Sequence, residues 1–122
     1  MNKLEYIRLL NGDIVYIHGS VRVISSCDGY YATYYDEDET LQEVNVNVIE
    51  GIPLTTAILE KNGWEHKDDV YFKDYPQRKL VTYDDKAYII NESCSLFLCK
   101  VEFVHQLQHL LFGLGLNSEM EV

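Results

Sequence analysis

His105 and His109 stand four residues apart in the segment V-H-Q-L-Q-H-L, a spacing at which two imidazoles on one helical face can share a metal ion. The zinc-hydrolase pattern also needs a glutamate directly after the first histidine, as general base. Gln106 occupies that place and is no useful proton acceptor at neutral pH. Metal-assisted hydrolysis is therefore not expected, and His105, Gln106 and His109 are read as groups that hydrogen-bond strand ends or line an interface. The acidic run Asp36-Glu37-Asp38-Glu39 invites a calcium loop, but Leu41 and Asn47 stand where such a loop needs glycine and glutamate. A solvated turn is expected there. Asp68-Asp69 and Asp84-Asp85 also fall in turn-like sequence, where water keeps carboxylates ordinary. There is no G-x-S-x-G elbow, no phosphate-binding glycine loop and no convincing cysteine–histidine pair. The expectation is a chain without catalytic residues, metal or cofactor.

Binding chemistry is better represented. Tyrosine occurs ten times, and Tyr30, Tyr31, Tyr34 and Tyr35 crowd into one short stretch. Strand alternation would set Tyr30 and Tyr34 on one face and Tyr31 and Tyr35 on the other, with one pair inward and one exposed. Exposed tyrosines are flat, apolar and polar-tipped, which suits interfaces and base stacking. A nucleotide pocket would add cations, and the candidates are Arg8, Arg22, Lys73, Arg78, Lys79 and Lys100, with Tyr30 or Tyr34 as stacking partners.

The elements that must position these groups divide the chain near residue 50. Apolar runs at 4–10, 13–18, 21–27, 30–35 and 43–49 are separated by Asn11-Gly12, Gly19-Ser20, Asp28-Gly29 and the acidic tip, which predicts a small antiparallel meander or an SH3-like barrel. Pro53 ends that unit. Thr55 predicts an N-cap for a short helix over 56–62, with Gly63 as its stop and Trp64 as a core anchor between the two halves. Strands are expected again at 70–73, 79–83, 87–90 and 96–100. The closing segment, 101–116, carries Val104, Leu107, Leu111 and Leu114 on one stripe, widened by Phe103 and Leu110, and predicts a helix laid over the sheet. Phe112 and Leu116 fall off that stripe, so with His105 and His109 they are candidate interface residues, and a homo-oligomer is expected. The fold class expected is α+β, one domain over 1–122, built from a β-rich unit at 1–50 and an α+β unit at 51–122.

Composition narrows the partners. Ten basic residues against twenty acidic ones give a formal charge of −10, so free nucleic acid should be repelled. No window approaches the roughly 18 apolar residues of a membrane span, and Glu5 and Arg8 interrupt the N-terminal apolar run as no signal peptide would. Three cysteines, Cys27, Cys94 and Cys99, form an odd set without a C-x-x-C pair, which fits a reduced compartment. A cytoplasmic location is expected, with no membrane partner.

The segment I-P-L-T-T-A-I-L-E-K-N-G-W, the charged strand region after it and F-V-H-Q-L-Q-H-L-L-F-G-L-G-L together resemble small uncharacterised proteins of gut Bacteroidetes and their phages. Those proteins run from an N-terminal β-unit with an N-G turn into an I-P-L-T-E-E-type helix and end in a V-H-Q-L-Q-N-L-type helix. The similarity covers most of residues 10–116, and its specific parts are 52–55 and 104–110. This chain has Thr56-Ala57 in place of the acidic pair and His109 in place of asparagine. The resemblance implies a phage or mobile-element origin, hence host cytoplasm, and no established activity. Three functional expectations follow. The first is a non-enzymatic anti-defence protein that sequesters a small nucleotide signal. The second is an acidic decoy that inhibits a host nucleic-acid-binding protein, and the third an accessory or structural phage protein.

Overall fold

Asn11-Gly12 forms a tight turn because Gly12 accepts a φ of 95°. The turn is closed by Asp13 N–H donating to Leu10 O at 3.0 Å, and the Asp13 carboxylate accepts the Leu10 N–H at 2.7 Å. From this turn the chain enters β1 (Ile14–Ile17), then β2 (Ser20–Val23), β3 (Ser26–Cys27), β4 (Tyr31–Tyr35), β5 (Leu41–Asn45), a single 3-10 turn (Val46–Val48) and β6 (Ile49–Gly51). The computed structural model describes residues 9–76, 78–91 and 94–122. Apart from Leu9 and Leu10, the strand expected at 4–10 lies outside them, as does Arg8.

The chain divides into two compact units, Met1–Ile52 and Pro53–Val122. Both carry antiparallel sheet and the second carries two helices, so the fold class is α+β. In the first unit the strands form two three-stranded sheets, β2-β1-β6 and β3-β4-β5. The run expected as one strand at 21–27 is divided between them: β2 pairs with β1 (Val15 opposite Arg22), while β3 pairs with β4 (Ser26 opposite Thr33). Ile24 and Ser25 make the passage, and Ile24 is fully buried. The run expected at 43–49 is broken too. Asn45 caps the 3-10 turn through its side chain, which accepts the Asn47 N–H at 2.9 Å, so the chain leaves β5 before reaching β6. Leu9, Val15, Ile17, Ile24, Ala32, Tyr34 and Ile49 form this unit's core.

The second unit opens with α1 (Thr56–Lys61), whose N-cap Thr55 accepts the Ile58 N–H at 3.2 Å. Gly63, at φ 85°, ends the helix and delivers Trp64, 4% exposed, into the unit's own core. Five strands follow, β7 (Glu65–Lys67), β8 (Val70–Tyr75), β9 (Arg78–Tyr83), β10 (Lys86–Ile90) and β11 (Ser95–Lys100), each antiparallel to its sequence neighbour. The closing helix, α2, spans Val104–Gly113 rather than the whole of 101–116. Val101 N–H instead donates to Asp85 O at 2.7 Å, and the next two residues pair with the segment before α1: Pro53 bridges Phe103, and Leu54 N–H donates to Glu102 O at 3.0 Å. Phe103 has no side chain that can cap the helix. Gln106 caps it from within, its Oε1 accepting the N–H groups of Glu102 at 2.6 Å and Phe103 at 3.0 Å. Leu107 and Leu111 then pack with Leu59, Trp64 and Leu80.

Candidate functional site

The cations proposed for a ligand pocket are already engaged where they are described. In the second unit each has a local partner. Lys73 donates to Asn62 O at 2.8 Å and lies 5.7 Å from the Tyr75 ring centre, while Arg78 donates to Leu114 O at 3.3 Å. Lys79 sits over the Phe72 ring at 4.9 Å and 3.6 Å from the Asp74 carboxylate, and Lys100 pairs with Glu102 at 3.3 Å. Arg22 belongs to the other unit. The tyrosine expectation needs a correction as well. Strand β4 begins at Tyr31, and its inward positions are Ala32 and Tyr34, the latter 8% exposed; Tyr31 and Tyr35 face outward. Tyr30 lies ahead of the strand in the Asp28-Gly29 turn, where its N–H donates to Asp28 at 2.9 Å and its ring is 75% exposed. Tyr30 and Tyr34 therefore do not form one stacking face.

Arg22 and Tyr34 do come together. The guanidinium lies over the Tyr34 ring, 5.2 Å from its centre, and Nη1 reaches Glu37 Oε1 at 2.8 Å. The strand geometry explains this pair. Extending the β3–β4 register, in which Ser26 faces Thr33, carries Arg22 opposite Glu37. The backbones part before that point: Ser25 N–H donates to Thr33 O at 2.7 Å, after which β2 is committed to β1 and β4 runs on to the acidic tip. A cavity of about 430 Å³ opens where they part, lined by Asn11, Val21, Arg22, Val23, Ile24, Ser25 and Tyr35. Val21, Val23 and Tyr35 are each about half exposed, and Leu41, directly opposite Tyr35, is 52% exposed.

The acidic tip beside this groove is held in shape by one carboxylate. Asp36 Oδ1 accepts the N–H groups of Asp38 at 2.9 Å and Thr40 at 3.0 Å, and Oδ2 accepts Gln42 Nε2 at 2.9 Å. The Thr40 and Gln42 bonds hold the Asp36 carboxyl below its usual range. Glu37 is lowered by its own backbone N–H and then by Arg22. Asp28 is likewise lowered, by the Tyr31 and then the Tyr30 N–H groups. Across 9–52 Arg22 is the only lysine or arginine, and Glu37 already neutralises it. The groove thus presents Val21, Val23 and Tyr35, with Glu37 of the acidic tip joined to it through Arg22.

The residues proposed for an interface on α2 separate. Phe112 is 68% exposed, whereas His105 is fully buried and is thereby removed from any surface. His105 stacks on Phe103 with ring centres 5.9 Å apart and meets the half-buried His109 edge-on at 5.8 Å. Leu116 packs against the second unit's core. Among the described residues no group of three or more His, Cys, Asp and Glu side chains is arranged to hold a metal ion. Val21, Val23 and Leu41 were missed in the sequence. For the two valines the signal is the alternation Val21-Arg22-Val23, which places both outward once Arg22 turns in. No protein-family model matches this chain, and no curated protein and no solved structure is found to be similar to it.

Proposed function

We propose that this chain is a non-enzymatic binding protein whose first unit takes a basic segment of a partner protein on its acidic, tyrosine-bearing face. One observation carries the reading: the groove between β2 and β4 offers Val21, Val23 and Tyr35 to an apolar side chain, while its single cation, Arg22, is already paired with Glu37 of the acidic turn 36–39. Apolar side chains next to an acidic turn suit lysine- or arginine-rich segments that also carry apolar residues. In this reading the first unit is an SH3-like barrel. The bent run shared by two sheets, the 3-10 turn before the last strand and the pairing of that strand with the first all support it. With the phage or mobile-element origin that the resemblance implies, the partner is a host nucleic-acid-binding protein whose phosphate-binding surface supplies the cations. Sequestration of a nucleotide is less well supported, because each described candidate cation is already engaged by a neighbour.

The test is a fluorescence anisotropy titration of labelled peptides that combine basic and aromatic residues, at low and high salt, against the intact protein and two variants. Binding should weaken with salt, fall when Asp38 and Glu39 are replaced by lysine, and fall again in Tyr35→Ser. Equal affinity in all three proteins, or no binding at low salt, would overturn the reading.

A further inference from the structure

Residues 117–122, after α2, lie in the second unit as a bound peptide lies in a receptor. Their exposure alternates: Asn117, Glu119 and Glu121 are exposed, while Ser118, Met120 and Val122 are half-buried, the period of an extended segment resting on a surface. Asn62, the C-cap of α1, holds both backbone groups of one tail residue. Glu121 N–H donates to Asn62 Oδ1 at 2.8 Å, and Asn62 Nδ2 donates to Glu121 O at 2.8 Å. A neighbouring strand grips a peptide unit in the same two-point way. Asn62 is itself set in place, since Nδ2 also donates to Ile58 O at 2.7 Å and its backbone carbonyl accepts Lys73 Nζ. Gln108 Nε2 donates to Ser118 O at 3.1 Å, and Lys61 Nζ to Val122 O at 3.2 Å.

The anchor is Met120, which packs against the cluster containing Trp64 and Leu111. It underfills its site: a cavity of about 90 Å³ stays open among Met120, Trp64, Tyr75 and Lys73. The charges are complementary, because the cleft supplies Lys61 and Lys73 and the tail supplies Glu119 and Glu121. Gly115, at φ 74°, sets the tail apart from the helix as a separate arm.

We propose that this cleft is a peptide-binding site for extended acidic segments with a large apolar anchor, and that residues 117–122 are its resident occupant, displaced when a better-filling segment binds. This site is independent of the basic-partner face on the first unit. The ligand differs in charge sign and is recognised through backbone groups and one anchor.

The probes are three capped hexapeptides: the sequence of residues 117–122, the same with phenylalanine at the anchor, and the same with aspartate there. Trp64, the only tryptophan, reports on the cleft floor. In the full chain carrying Met120→Asp, Trp64 emission should shift to the red as the tail loosens. The methionine peptide should reverse that shift, the phenylalanine peptide should do so at a severalfold lower concentration, and the aspartate peptide should not. In the unaltered chain the phenylalanine peptide at millimolar concentration should move the Glu121 amide resonance as it displaces the tail. That arm decides the matter if the variant fails to fold. No displacement of Glu121 in the unaltered chain, or reversal by the aspartate peptide equal to that by the phenylalanine one, overturns the proposal.

Discussion

Leu107→Ala tests whether α2 is the cover of the second unit's core. Leu107 is fully buried and meets Leu59, Trp64, Leu80 and Leu111, so its neighbours come from α1, the stretch after it, β9 and α2 itself. Removing three carbons forfeits about 2.4 kcal/mol of transfer free energy at ~0.8 kcal/mol per methylene. The cavity adds to this, because a site walled by several elements collapses poorly, and buried leucine-to-alanine changes span about 2.7–5.0 kcal/mol. A loss of about 3–5 kcal/mol is expected, against a total of roughly 4–10 kcal/mol for a unit of about 70 residues. The assay is urea unfolding followed by Trp64 emission, which reports this unit alone. Phe112→Ala is the control: that side chain, on the same helix, is 68% exposed, and the change should stay within about 0.5 kcal/mol. A loss below about 1 kcal/mol for Leu107→Ala, or equal losses in the two variants, would show that α2 does not bury the face described.

Gln106→Ala removes the acceptor for two backbone N–H groups at the start of α2 and should cost about 1 kcal/mol, whereas Gln106→Glu should keep the cap and gain from the helix dipole. Thermal melts of the two variants separate these outcomes. Cys94 is exposed, while burial raises the Cys99 thiol above its usual range; iodoacetamide near neutral pH should therefore modify Cys94 well before Cys99, as read by mass spectrometry of digests. Asp28, Asp36 and Glu37 all titrate below their unfolded values in the folded chain. Their contribution is fully present above the unfolded carboxylate values and is lost as pH falls through the lowered folded ones, so first-unit stability should drop on acidification. Asp36→Asn should flatten that part of the profile. An Asp36 carboxyl resonance titrating at or above the ordinary value of 3.8 would contradict the hydrogen bonding described.

Much of this architecture was legible because local chemistry and tertiary packing agree. Thr55, Gly63 and the stripe Val104, Leu107 and Leu111 mark helices whose caps and buried faces are where those residues point. Disagreement arose where a polar side chain redirected the backbone. Asn45 diverts the chain into a 3-10 turn inside an otherwise strand-like run, and Phe103 yields capping to Gln106, which the sequence marks as a group for strand ends or an interface and not as a helix cap. β7 was invisible: Glu65, His66 and Lys67 are all exposed at a sheet edge and carry no apolar alternation. The groove was the least legible feature. It depends on where β2 and β4 part, and strand splay is set by which partner each strand already has. The tail site was missed for a similar reason, since Asn62 reads only as the last residue of the helix expected at 56–62 and its grip on Glu121 is purely tertiary.

The pairing of Pro53 with Phe103 has a kinetic consequence. The strands between them form by successive hairpins, each closing a short loop, whereas this bridge joins residues far apart in sequence and repays its loop closure only after the sheet exists. The sheet should therefore assemble first, with the starts of α1 and α2 drawn together late. The tail's grip on Asn62 spans a still longer separation, so it too is expected to form after the sheet.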